Sequence, residues 1–340
     1  MKRYPLDKFL ELGQSQPIID VRSPGEYELG RLPHSHNMPL LSNEERADVG
    51  TIYKQVNPQA AFKKGLEYIG PKMSGFIDFA ENLHNQELLV HCWRGGQRSQ
   101  SVALLLEAYG FKVGVLEGGY KSYRTAALSF FEQKLPLVVL TGYTGSRKTE
   151  VLHELTTLGE QVVDLEGLAH HQGSAFGRQA SEIQPSSEQF QNELYETFRK
   201  MDLSKRIWVE DESMRIGSVN MMPELYHQKN EAPCVFMDIP KDARIQNLIA
   251  NYGQMDVPKL IKATKSISKK LGLKEAETAI EHIENGDAEP AARIILKYYD
   301  KRYHKAIEDK RDHFVLHLQI DSRDPKELAG EILRRLEVGG

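Results

Sequence analysis

The stretch LVHCWRGGQRSQS (88–100) constrains this chain more than any other. An apolar run ends at Val90, and His91 and Cys92 follow. Gly95 and Gly96 then make a turn, and from Ser99 the pattern turns helical, SQSVALLLEAYG, as far as Gly110. A buried strand that feeds a glycine turn and then a helix is the repeating unit of a parallel sheet. In open sheets of that kind, ligands bind at the carboxyl ends of the strands. That first run is ELLVHC (87–92); PIIDV (17–21) and KVGVLEGG (112–119) read as a further strand and a further strand with its turn, so an α/β fold is expected.

The loop has a chemistry of its own. Adjacent glycines let successive N–H groups curl into a nest for an anion. The following helix aims its positive end at the same point. Arg94 and Arg98 add formal charge, and Gln97 and Ser99 complete the candidate anion-binding set with Gly95 and Gly96. A thiol in such surroundings falls from a pKa of about 8.5 to about 3.5–7.5. Cys92 is therefore the expected nucleophile, with Arg94 and Arg98 as its catalytic partners. Cys234, in APCVFMDIP, has no basic neighbours and is expected in a core.

Two cysteines in 340 residues exclude a disulfide framework and fit a reducing compartment. The start, MKRYPLDKFL, has no apolar leader, and no run approaches the ~18 apolar residues of a membrane span. A cytoplasmic protein is expected, with no membrane partner. The net charge of −4 excludes a globally basic nucleic-acid binder but leaves room for a local basic face.

FFEQKLP (130–136) reads as a connector to a second strand–turn–helix, LVVLTGYTGSRKTEVLHEL (137–155). Its centre, G-Y-T-G-S-R-K-T, follows the phosphate-loop pattern G-x-x-x-x-G-K-[ST]. Gly142, Thr144, Gly145, Ser146, Arg147, Lys148 and Thr149 are the candidate diphosphate binders. Arg147 stands where the pattern has glycine, a place where backbone approaches phosphate in a conformation other residues resist. Two acidic strand ends follow: Asp164 and Glu166 in QVVDLEGLAHHQGSAFGR (161–178), and Glu210, Asp211 and Glu212 in RIWVEDES (206–213). A carboxylate at such a strand end holds Mg²⁺ in phosphate-loop proteins, and Asp211 is the first choice here. His170 and His171 have no metal-ligand spacing around them.

The remainder reads as mainly helical. Lys259, Lys262, Lys265 and Lys269 share one helical face, with Lys270 and Lys274 beside them and no acid between 259 and 274. KYYDKRYHKAIEDKR (297–311) adds Lys301, Arg302, Lys305 and tyrosines able to stack on bases. Such a concentration of charge in an acidic chain fits an RNA backbone footprint. The expected domains are 1–128, 135–250 and 251–340.

HCWRGGQRS fits both the H-C-x5-R-S loop of cysteine phosphatases and the active loop of rhodanese-type sulfur transferases. The segments IIDVRSPGEYELGRLPHSHNMPL (18–40) and EGGYKSYR (117–124) resemble rhodanese domains, and phosphatases lack the first. Three further strings, SNEERADVGTIYKQ (42–55), DLEGLAHHQGSAFGR (164–178) and EDESMRIGS (210–218), resemble the bacterial tRNA 2-selenouridine synthases. That resemblance implies a rhodanese-like domain followed by a phosphate-loop domain. It implies an enzyme that geranylates wobble 2-thiouridine from geranyl diphosphate and then exchanges geranylthiol for selenium from selenophosphate. On this reading Cys92 carries selenium as a perselenide, and Lys148 and Thr149 hold the diphosphate. Asp164, Glu166, Ser174, Arg178, Glu210 and Asp211 support them with Mg²⁺, and no ATP is required. Lys259, Lys262, Lys265, Lys269, Lys270 and Arg302 then face tRNA, and a selenophosphate supplier is a partner. The alternatives are a cysteine enzyme acting on another anion and a non-catalytic RNA-binding module.

Overall fold

The computed structural model describes residues 1–171, 183–252, 257–320 and 324–338. They divide into two compact units: 1–130 with 186–196, and 131–185 with 197–340.

The first unit is built on five parallel strands: β1 (Lys2–Tyr4), β2 (Ile18–Asp20), β3 (Ser35–Asn37), β4 (Glu87–His91) and β5 (Lys112–Leu116), in the order β1-β5-β4-β2-β3. β4 lies at the centre, and its Leu88, Leu89 and Val90 are fully buried. Burial on both faces explains why β2, β4 and β5 read as apolar runs instead of alternating ones. The helix Gln97–Tyr109 follows β4 and puts Val102, Ala103 and Leu106 into the core. Two helices ahead of β4, Asn43–Gln55 and Pro58–Ile69, have local start signals. Ser42 and Glu45 form a reciprocal capping box, and Asn57 caps the second helix just before Pro58.

The structure corrects the expected domain limits in two places. The segment 186–196, read as part of the second domain, belongs to the first unit. It satisfies the buried hydroxyls of two tyrosines there. Tyr120 donates to Glu188 (2.8 Å) and accepts from Asn192 (2.7 Å), and Tyr123 donates to Glu196 (3.1 Å). A buried phenol needs such a partner, and the sequence near either tyrosine offers no sign of where it comes from.

The second correction concerns the C-terminal region, which belongs to the second unit instead of standing alone. That unit has a parallel sheet of β6 (Leu137–Gly142), β7 (Gln161–Val163), β8 (Ile207–Glu210), β11 (Cys234–Asp238) and β12 (Phe314–Gln319), in the order β12-β11-β6-β8-β7. A short antiparallel pair, β9 (Arg215–Ile216) and β10 (Val219–Asn220), lies apart. β12 closes one edge, and the helix Pro325–Val338 packs Leu328, Ala329 and Ile332 into one core with Val151, Leu152 and Leu155. The helices Val257–Leu271, Leu273–Glu284 and Ala288–Asp309 form a further core with Ile245 and Leu248. Among the described residues, no helix is long and apolar enough to cross a membrane.

Candidate active sites

Cys92 directly follows β4, and its thiol is buried, 3.3 Å from the Ser99 hydroxyl. Burial alone raises a thiol pKa. Here the Ser99 hydroxyl, the backbone N–H groups of Ser99 and Arg94, and the charge of Arg98 together outweigh it, and the Cys92 pKa is lowered. Cys234 is the control within the same chain. It is buried in β11 without such donors, and burial together with the negative charge of Asp211 pushes it up to about 12. Two equally buried thiols thus differ because only one has hydrogen bonds aimed at its ionised form.

The loop keeps its shape through a second glycine turn, Gly118 and Gly119, whose role no local pattern reveals. The N–H groups of Tyr120 and Lys121 donate to the carbonyls of Cys92 (2.8 Å) and Trp93 (2.9 Å). Gly95 and Gly119 meet there with φ of +64° and +61°. A Cβ on Gly119 would lie 2.4 Å from the Cys92 carbonyl oxygen and 2.4 Å from the Gly95 nitrogen. With those carbonyls engaged from behind, the loop's N–H groups and the start of the helix Gln97–Tyr109 are left to an anion. Arg98 is held by Glu26 (3.0 Å), which Arg46 also contacts (2.9 Å). Against burial, these cations and the Ser23 N–H bring Glu26 down to about 2. Glu26 and Arg46 therefore position Arg98, while Arg94 and Gln97 are exposed at the loop. Beneath the site, Arg22 and Asp20 form a fully buried ion pair (2.6 Å), and the Arg22 guanidinium stacks 3.8 Å from the Tyr120 ring.

In the second unit, β6 runs into the loop Tyr143–Arg147 and the helix Lys148–Thr157. The residue that breaks the sequence pattern is where the backbone needs glycine most. Arg147 has φ +62° and ψ +34°, in the left-handed region. Its guanidinium lies 3.4 Å from Glu150. The loop carbonyls are tied from outside by residues about a hundred positions away: Arg244 donates to Thr144 O (3.1 Å) and Asn247 to Gly145 O (2.9 Å). Arg244 is itself fixed by Asp300 (2.8 Å). No local pattern reveals this clamp, because it exists only once two distant helices meet the loop. Lys148 Nζ donates to Gly142 O (2.9 Å) and lies 5.9 Å from the Tyr303 ring. The Ser146 hydroxyl is buried in the loop with no hydrogen-bond partner among the described residues, so an oxygen-rich ligand would satisfy it.

The acids at the end of β8 divide into two roles. Glu210 accepts from the Thr149 hydroxyl (2.9 Å), and its second oxygen is buried without a partner among the described residues. Burial first, then the charges of Glu166 and Asp164, raise the Glu210 pKa above the ordinary carboxylate range. Glu212 is raised for the same reasons, burial and Glu166, although Lys148 opposes them. Asp211 points elsewhere, and this corrects the choice of Asp211 for Mg²⁺. It accepts from Lys229 (2.9 Å), Thr141 (2.8 Å) and Lys310. Against its own burial, the two ammonium groups bring it down to about 2. A carboxylate already neutralised by two cations has little left for a third, so Asp211 is structural.

The donor set that fits Mg²⁺ is instead the Thr149 hydroxyl with Glu210, completed by ligand phosphate oxygens and water, the arrangement this ion favours. Among the described residues, no three His, Cys, Asp or Glu side chains converge as an all-protein metal site. Asp164 mainly caps the short helix Leu165–Leu168 through Gly167 N–H (2.7 Å). Ser174 and Arg178 lie outside the described residues, as does the Arg302 side chain.

The lysine face forms as its spacing predicts. Lys259, Lys262, Lys265, Lys269, Lys270 and Lys274 are exposed, while Leu260, Thr264 and Ile267 turn inward. The tyrosines are redistributed: Tyr299 is buried in the helical core, and Tyr303 lies by Lys148.

Comparison with known proteins gives two family matches. Residues 5–126 match the rhodanese-like domain, and residues 135–324 match the family described as tRNA 2-selenouridine synthase AAA domain. Curated relatives named tRNA 2-selenouridine synthase include one from Nitrosomonas europaea, 36% identical over 69% of this chain and 63% of that protein. One from Shewanella frigidimarina is 36% identical over 70% of this chain and 66% of that protein. One from Shewanella halifaxensis is 32% identical over 88% of this chain and 91% of that protein. The match thus spans just under two thirds of the first two relatives and nine tenths of the third.

Proposed function

Since the chain belongs to the tRNA 2-selenouridine synthase family, we propose that it replaces the sulfur of wobble 2-thiouridine in tRNA with selenium, in two chemical steps. The observation that carries this reading is the pairing, on one chain, of a phosphate loop with an acid-depressed thiol in an anion cradle. Either site alone suits many reactions. Together they suit an exchange that consumes one diphosphate ester and one selenium-bearing phosphate.

In the first step the sulfur of 2-thiouridine displaces diphosphate from geranyl diphosphate. The phosphate loop holds the departing group: its N–H groups, Lys148 and the Ser146 hydroxyl stabilise charge as it develops on the diphosphate oxygens. Mg²⁺ bound by Thr149 and Glu210 would add electrostatic neutralisation there. No γ-phosphate is cleaved, so ATP is not needed.

In the second step selenium from selenophosphate takes the place of geranylthiol at C2 of the base. The C2–S bond breaks, a C2–Se bond forms, geranylthiol takes a proton, and water cuts the Se–P bond to give phosphate. Selenium enters and leaves at one oxidation level, so the exchange needs no oxidant. A Cys92 perselenide would hold selenium at a higher level and would send the Se–P bonding pair to phosphorus. A Cys92 thiolate that adds to C2, expels geranylthiol and is then displaced by selenophosphate keeps the balance. We therefore assign Cys92 as the nucleophile of this step, with Arg94, Arg98 and the Gly95–Gly96 amides as the selenophosphate cradle. The exposed lysines of the helix Val257–Leu271 supply phosphate contacts for tRNA.

The test is mass spectrometry of nucleosides from a 2-thiouridine anticodon stem–loop given geranyl diphosphate, Mg²⁺ and selenophosphate. Wild type should yield S-geranyl-2-thiouridine and then 2-selenouridine. Cys92→Ala should stop at the geranylated base, and Lys148→Ala should leave 2-thiouridine. An untouched base with wild type, when RNA binding is demonstrated, refutes the reading.

A further inference from the structure

Cys92 opens onto a cavity of about 1100 Å³ that the small anions of a sulfur transferase would not need. Its floor and walls come from the helices Asn43–Gln55, Pro58–Ile69 and Gln97–Tyr109, all within the first unit. Most of the lining is apolar: Leu41, Phe62, Leu66, Ile69, Met73 and Leu105 are representative. Tyr53, Phe62 and Leu66 line it and remain 61%, 49% and 53% exposed. Contiguous apolar surface left to water marks a binding site. Cations stand at the same cavity: Arg46, Lys54, Arg94 and Arg98.

We infer that this cavity receives the geranyl chain of S-geranyl-2-thiouridine and, after exchange, of the departing geranylthiol. The inference rests on the function proposed above and gives one of its intermediates a binding site. Three features select this occupant. The nucleophile lies in the cavity wall, so a base whose C2 reaches Cys92 has its sulfur substituent beside the apolar surface. The cavity is large for a small anion and suits a ten-carbon chain together with part of the base, at the upper limit of the usual size of ligand pockets. Beyond the two arginines assigned to selenophosphate, Arg46 and the exposed Lys54 at the cavity suit the phosphates that flank a nucleotide, which a free terpene lacks.

The geometry also supplies a selection rule. Ungeranylated 2-thiouridine would leave the cavity filled with water, so the selenium step would prefer the geranylated base. That preference would impose the order of the two steps.

Calorimetric titration of the full chain with two nucleosides, 2-thiouridine and S-geranyl-2-thiouridine, tests the inference. One buried methylene is worth roughly a fourfold gain in affinity. Burial of about four of the ten carbons already gives a preference of more than about a hundredfold for the geranylated probe. Gly65 lines the cavity, and a Cβ added there meets nothing within 4 Å, so Gly65→Leu should fold and fill space. Leu66→Asp, at an exposed position, makes the wall polar without touching the core. Both should lower affinity for the geranylated probe at least about tenfold and leave that for 2-thiouridine unchanged.

Equal affinity of wild type for the two probes overturns the inference, as does a preference that survives both variants. So does a second copy of the chain occupying the face, seen as a dimer that Leu66→Asp dissociates with no change in probe affinity. Product analysis on the same samples judges the proposed function separately. A wild type that forms no modified base but keeps a cavity-dependent preference for the geranylated probe refutes the function and leaves the binding site standing.

Discussion

Replacing Arg147 with glycine should stabilise the second unit, although the change deletes a charged side chain and an ion pair. Arg147 adopts φ +62° and ψ +34°, a conformation that costs an L-residue roughly 1–2 kcal/mol. Glycine removes that strain but brings an entropic cost of about 0.5–1 kcal/mol. The lost contact to Glu150 is an i,i+3 pair at 3.4 Å with both side chains about a third exposed, worth at most about 0.2–0.5 kcal/mol once solvent screening is counted. The net expectation for Arg147→Gly is a gain of a few tenths of a kcal/mol, on the order of 0.5. Arg147→Ala keeps a Cβ in the left-handed region and loses the same pair, so it should be less stable than the glycine variant by about 0.5–1 kcal/mol. The chain has two tryptophans, Trp93 in the first unit and Trp208 buried in β8 of the second. Urea unfolding followed by fluorescence in a Trp93→Phe background therefore reports the second unit. An alanine variant as stable as the glycine variant would refute the argument from backbone strain.

Four further outcomes follow from the two sites. Ser99→Ala removes the largest of the contributions that lower the Cys92 pKa, so the midpoint of thiol alkylation should move to higher pH; an unmoved midpoint rejects the hydroxyl's role. Gly119→Ala puts a methyl group 2.4 Å from the Cys92 carbonyl and should abolish protection of Cys92 by phosphate against alkylation, an effect absent if the loop can move aside. Asp211→Asn leaves the buried Lys229 without its counter-charge and should cost about 3–5 kcal/mol by the same urea assay; a loss under 1 kcal/mol would mean the lysines find water. Glu210 and Glu212 have raised pKa values in the folded state, so folded protein binds more protons than unfolded protein, and their contribution to stability falls as pH rises above the ordinary carboxylate range. Glu210→Gln should flatten that fall, as read from unfolding midpoints across pH.

Much of the fold was legible because strand, glycine turn and helix are written locally. The runs ending at Val90 and at Thr141 became the central strands β4 and β6, and the glycine turns after them became the two loops. The caps at Ser42 and Asn57 are equally local devices, since each bonds a backbone N–H only three residues further on. Domain limits were less legible. The helix that satisfies Tyr120 and Tyr123 lies some 70 residues beyond them, and nothing about a tyrosine announces its distant partner. Choosing among Glu210, Asp211 and Glu212 failed for a similar reason. Adjacent residues on a strand point to opposite faces, and which face meets Thr149 and which meets Lys229 and Lys310 depends on pieces of chain far apart.

The sequence by itself determined the chemistry that each loop carries: a thiol among arginines and glycines, and a lysine and threonine after a phosphate-binding turn. Those properties follow from residue type and spacing along one short segment. The tertiary structure decided what the chemistry is worth. It lowered one cysteine's pKa and raised the other's, placed Arg147 in a left-handed conformation, neutralised Asp211, set Glu210 against Thr149 at the phosphate loop, and set an apolar cavity beside Cys92. Burial, charge and cavity shape are sums over residues from many parts of the chain, so they take their values only once the chain has folded.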